Sequence, residues 1–98
     1  MSFSTKFVSQ TGVGASASIK TSSPKDDFRA LVHCYVTGDV EFDIEYTIDP
    51  ASSPEYTALG SVGRTASCDD ALYFPFVAIR VNVTSGTGTV KLVVMYKD

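Results

Sequence analysis

Apolar and polar side chains alternate strictly along three stretches of the chain. Val40, Phe42, Ile44, Tyr46 and Ile48 alternate with Glu41, Asp43, Glu45 and Thr47. A period of two puts one set on each face of an extended chain, so 40–48 reads as a half-buried strand. Val77, Ile79, Val81 and Val83 alternate with Ala78, Arg80, Asn82 and Thr84. Val90, Leu92, Val94 and Tyr96 alternate with Lys91, Val93, Met95 and Lys97. Only Ser85-Gly86-Thr87-Gly88 separates these last two runs. Two alternating runs joined by a short glycine-containing connection predict an antiparallel hairpin.

A further strand is expected over 27–37, and it has apolar residues on both faces. Phe28, Ala30, Val32, Cys34 and Val36 share one face, and Leu31 and Tyr35 share the other with His33. Such a strand is either buried on both sides or turns its second face to another subunit. Gly38-Asp39 is expected to turn it back onto the 40–48 strand. Residues 3–10 and 15–20 read as weaker strands interrupted by Gly12 and Gly14. Polar breaks are expected over 21–26, 49–55 and 61–70, and Pro75 near the start of the Val77 strand suits an early or edge position. No helix of normal length fits any part of the pattern. Short strands at this spacing predict an all-β fold: a single antiparallel β-sandwich, jelly-roll-like, with roughly seven or eight strands. The 98 residues make one domain, with a short N-terminal arm expected over about residues 1–8.

Composition agrees with the pattern and removes several classes of function. Twelve valines, twelve serines, ten threonines and eleven Phe or Tyr residues favour a pleated, half-buried surface. No apolar run approaches the ~18 residues of a membrane-spanning helix. The start of the chain has neither a basic segment nor an apolar block, so no signal peptide is expected. Eight Lys and Arg residues face eleven Asp and Glu residues, for a net charge of −3, and the cations are scattered. Neither nucleic acid nor an anionic membrane is therefore an expected partner. Cys34 lies in an apolar run and Cys68 in a polar one. A disulfide would need their Cα atoms within about 7 Å. With nothing marking the chain as secreted, both are expected to be reduced thiols.

The candidate chemistry is thin. His33 is the only histidine, and a catalytic dyad or triad would need it. Cys34 is its neighbour, but adjacent strand residues point to opposite faces. A packed or interface role is the simpler reading of His33. Glu41, Asp43 and Glu45 form a ladder with members about 6.8 Å apart. Pairing with Arg29, Arg80 or Lys91 explains it more simply than a calcium site or a glycosidase carboxylate pair. Asp69-Asp70 reads as a turn or cap, and Asn82-Val83-Thr84 as an incidental sequon. Gly86-Thr87-Gly88 is too short to cradle a phosphate. No enzyme, cofactor or metal is expected.

The stretch Ala78-Ile79-Arg80-Val81-Asn82-Val83-Thr84-Ser85-Gly86-Thr87-Gly88-Thr89-Val90-Lys91-Leu92 resembles a recurring ending in small virion structural proteins of tailed bacteriophages. The strand and turn from Val40 to Pro50, followed by an aromatic at Tyr56, fit the same group. The resemblance spans Val40 to Val94, about half the chain, and departs from the pattern in the ending Met95-Tyr96-Lys97-Asp98. It implies a capsid decoration protein that bridges major capsid subunits in the virion, assembled in the bacterial cytoplasm and working as one of many copies. A tail or head-fibre adaptor is the alternative it implies. A small carbohydrate-binding module, using Tyr35, Tyr56, Tyr73 and Phe76, is a third reading from the aromatics alone. The residues expected to touch partners are Phe3 and Lys6 in the arm and Leu31, His33 and Tyr35 on the second face of their strand.

Overall fold

A computed structural model describes residues 3–20, 29–48, 54–72 and 76–97. These form nine strands: β1 (Phe3–Thr11), β2 (Gly14–Ala15), β3 (Ile19–Lys20), β4 (Ala30–Thr37), β5 (Val40–Thr47), β6 (Thr57–Ala58), β7 (Cys68–Leu72), β8 (Ala78–Gly86) and β9 (Thr89–Lys97). One sheet has the order β1-β9-β4-β7, and the other β2-β8-β5-β6 with β3 also paired to β8. All pairings are antiparallel. Because β2 and β3 share one position beside β8, each sheet has four positions, and the order is that of a jelly roll. The expected all-β sandwich is therefore the fold.

The two sheets match position for position. β1 is succeeded along the chain by β2 in the opposite sheet, β4 by β5, β6 by β7, and β8 by β9. This corrects both expected hairpins. The connections at Gly38-Asp39 and Ser85–Gly88 do not pair consecutive strands; they carry the chain across the sandwich. A hairpin and an arch both turn alternate apolar residues inward, so the alternation alone could not separate them. The glycines do separate them. A Cβ on Gly86, whose φ is +97°, would lie 2.2 Å from the carbonyl oxygen of Asp39, and one on Gly88 would lie 2.4 Å from that of Thr37. The crossings pack backbone against backbone and are hydrogen-bonded side by side, from Gly12 N to Gly88 O at 3.1 Å and from Gly88 N to Asp39 O at 2.9 Å.

Between the sheets lies a core that includes Val32 and Cys34 of β4, Phe42 and Ile44 of β5, Ile79, Val81 and Val83 of β8, and Val90, Leu92 and Val94 of β9. Each fully buried Val, Leu, Ile or Phe contributes roughly 1.5–3 kcal/mol, so these four strands supply most of the adhesion. Three departures from strict alternation occur. In β5 the inward position passes to Thr47, and Ile48 is exposed. Between Glu41 and Phe42 the ladder to β8 slips by one residue, opposite Thr84. Beyond β2, Ser16 is buried where Ala15 and Ala17 are exposed. The Ser16 hydroxyl accepts from Val81 N at 3.1 Å, and Ser16 N donates to Val81 O at 2.8 Å. A side-chain oxygen thus stands in for a backbone carbonyl and breaks one strand position into β2 and β3.

Two further expectations change. The segment read both as an arm over about 1–8 and as a weaker strand over 3–10 is, from Phe3 onward, an edge strand, with every residue of β1 paired to β9. β7 lies in and just beyond a stretch expected as a polar break. Cys-Asp-Asp-Ala-Leu has little strand propensity of its own. Its register against β4 and the complete burial of Leu72 hold it in place. Residues 27 and 28 of the expected 27–37 strand lie outside the described residues.

Candidate docking face

Cross-strand partners in an antiparallel ladder carry their side chains on the same face. The register therefore lays out the outer face of the β1-β9-β4-β7 sheet in rows. One row runs Thr5, Met95, Leu31, Ala71 and the next Phe7, Val93, His33, Asp69. A third begins Ser9, Lys91, Tyr35, and Phe3 extends the β1 column. Phe3, Phe7, Leu31, Tyr35 and Met95 are all exposed here, Phe7 at 68% and Leu31 at 55%. Thr5, Leu31, Val93 and Met95, with His33 and Asp69, line a shallow depression of about 410 Å³. Scattered exposed apolar residues are ordinary on a protein surface, whereas these lie together on one sheet face.

Polar groups frame the patch. His33 Nδ1 forms an ion pair with Asp69 Oδ1, with both side chains largely exposed. The His33 ring stands 5.3 Å from that of Tyr35, tilted by 56°. The ladder neighbours of His33 are Val93 and Asp69, and Cys34 points into the core, so the expected absence of a Cys–His pair agrees with the geometry. Lys91 Nζ lies 4.8 Å from the centre of the Phe7 ring, a cation–π contact at the margin of the patch.

The opposite outer face is of another kind. Glu45 Oε1 accepts from Arg80 Nε at 2.9 Å, and Glu45 Oε2 accepts from Asn82 Nδ2 at 3.5 Å. Asp43 Oδ1 accepts from Gly63 N at 2.8 Å, and Glu41 Oε2 accepts from Ser85 Oγ at 3.4 Å. The Arg80 guanidinium also stacks over Tyr56 at 3.8 Å. The acidic ladder is thus tied into its own sheet and the 59–67 connection. Among the described residues no group of three or more His, Cys, Asp and Glu is placed to hold a metal ion.

Of the residues expected to touch partners, Phe3, Leu31, His33 and Tyr35 come together on one face. Lys6 does not join them. It lies on the other side of β1, where its Nζ donates to Lys20 O at 2.8 Å and sits 5.7 Å from the centre of the Tyr96 ring. It braces the edge between the two sheets. The sequence reasoning missed Phe7, Val93 and Met95, although the signal was there. Phe7 keeps the Phe3 phase, and Val93 and Met95 are apolar at the outward positions of β9. The described aromatics considered for carbohydrate form no common platform. Tyr35 is on the apolar face, Tyr56 is under Arg80 on the opposite side, Phe76 is buried, and Tyr73 lies outside the described residues.

No family model and no curated protein matches the chain. A solved structure described as "Bacillus endospore appendages form a novel family of disulfide-linked pili" superposes with a TM-score of 0.59, over 97% of this chain and 84% of that one, at 18% identity. At that identity the likeness is one of fold.

Proposed function

We propose that this chain is a structural subunit that works as one of many copies in a bacteriophage virion, as a capsid decoration protein bridging major capsid subunits. It has no catalytic role in this reading. The observation that carries docking is the contrast between the outer faces: the β5 and β8 side is satisfied by its own Glu45–Arg80 ion pair and hydrogen bonds, while the β1-β9-β4-β7 side leaves Phe7, Leu31 and Met95 exposed in register. The phage-like stretch from Ala78 to Leu92 supports a virion as the setting. Multivalency lets a modest contact per copy hold firmly over a particle.

Immunogold labelling of particles released by producing cells tests the setting, with the label expected on the capsid shell. Label on tails or head fibres favours the adaptor reading. The fold likeness to a pilus subunit supports a second reading, a self-assembling fibre, which label on surface filaments would favour. Leu31→Asp together with Phe7→Asp tests the face. Binding to particles should fall at least about a hundredfold, because two apolar anchors are lost and charges are buried in their place. Binding equal to wild type would remove the face from consideration.

A further inference from the structure

Cys34 of β4 and Cys68 of β7 are direct partners in the antiparallel ladder. Facing residues in such a ladder have Cα atoms about 4.5 or 5.5 Å apart, depending on the type of pair. Both spacings lie within the ~4.4–6.8 Å that a disulfide spans. Partners also share a face, so both side chains point inward, where Cys34 lies in the core and Cys68 packs against it. Both are free in this structure. Their surroundings differ. Cys34 is 1% exposed, whereas Cys68 is half-buried at the edge of the sheet. Arg64 lies in the same neighbourhood, where its Nη2 donates to Asp70 Oδ2 at 3.0 Å. Burial, with the neighbouring Cys68, pushes the Cys34 thiol up to about 12.

We propose that Cys34 and Cys68 close into an intrachain disulfide, with a small-molecule disulfide such as oxidised glutathione as oxidant. Cys68, the more exposed of the two, gives up its proton to solvent and attacks the oxidant, forming a mixed disulfide and releasing one glutathione thiolate. The Cys34 sulfur then attacks the Cys68 sulfur and expels the second glutathione. The Cys34 proton passes to a released thiolate. Two protein thiols are oxidised and one glutathione disulfide is reduced to two thiols. The bond clasps β7 onto β4. β7 is a five-residue edge strand of weak propensity, and it covers the backbone edge of β4 that would otherwise be open to another chain. This inference rests on the ladder register and not on the proposed function.

The full chain, reduced and then incubated with oxidised glutathione, provides the test. Its intact mass should fall by two hydrogens. Trypsin cuts after Arg29, Arg64 and Arg80, so peptides 30–64 and 65–80 should remain joined until reduced. Cys34→Ser, or Cys34→Ala if serine impairs folding, should accumulate one glutathione on Cys68. Folded Cys68→Ser should stay unmodified at the buried Cys34. The bridged form should melt at least about 8 °C above the reduced form. A wild-type protein that keeps a glutathione adduct without linking its own peptides would overturn the proposal. So would disulfides between chains, or a bridge that gives no rise in Tm.

Discussion

The two outer faces of this sandwich come from similar strands and end up opposite in character. β5 and β8 turn out Glu45, Arg80 and Asn82, and these satisfy one another. β4 and β9 turn out Leu31, Tyr35, Val93 and Met95, which find no such partners in their own sheet. Both faces rest on the same core, so burial inside the sandwich does not explain the difference. A closed polar network lowers the free energy of the subunit alone. An exposed apolar face adds nothing to the isolated subunit and stabilises only a contact with something else. The comparison separates residues that satisfy one another within the sheet from residues left exposed on the face proposed for docking.

The largest blow to the comparison would come from removing the architecture beneath both faces. Gly86→Val places a branched Cβ where the Asp39 carbonyl already stands and forces a left-handed φ on valine. We expect a loss of more than about 4 kcal/mol, enough to leave little folded protein at 25 °C by circular dichroism and urea titration. A loss below about 1 kcal/mol would show that the crossing can yield, and that the faces do not depend on it. Next comes the apolar face itself, where the paired Leu31→Asp and Phe7→Asp changes should abolish docking while the urea midpoint stays near that of wild type.

Glu45→Ala should do the reverse. It leaves the half-buried Arg80 without its carboxylate, at a cost of about 1–2 kcal/mol in urea unfolding, with particle binding unchanged. If binding fell as far as in the Leu31 variant, the division of labour between the faces would fail. The smallest effect is expected at Asp69→Ala. The His33 pair lies on the surface, with side-chain exposures of 51% and 72%, so stability should change by no more than about 0.5 kcal/mol by thermal melting. A larger loss would mean that the frame of the apolar face also holds the fold.

Much of this was legible in the sequence. Alternation located β4, β5, β8 and β9 and separated their inward from their outward residues. The double-sided pattern of β4 pointed directly to Leu31, His33 and Tyr35. The edges were less legible. Two-residue elements such as β2, β3 and β6 carry too few side chains to show a period. β7 holds two adjacent aspartates and exists because β4 supplies a partner. Lys6 looked like a residue of a free arm; the pairing of β1 with β9 turned it toward Lys20 instead. Phe7 was visible as a residue and not as part of a site, since only the register places it beside Val93 and His33.

By itself, then, the sequence determined the fold class and the facing of the long strands, because side-chain direction follows from a period of two within a single strand. The tertiary structure decided which strands are neighbours. Alternation is the same for a hairpin and for an arch, and the crossing, packed backbone against backbone at Gly86 and Gly88, is set by which strands pair. That decision brings β9 beside β1 and β4, gathers scattered apolar residues into one face, and sets Cys34 opposite Cys68. Each of these is a contact between segments distant in the chain, and no local pattern encodes it.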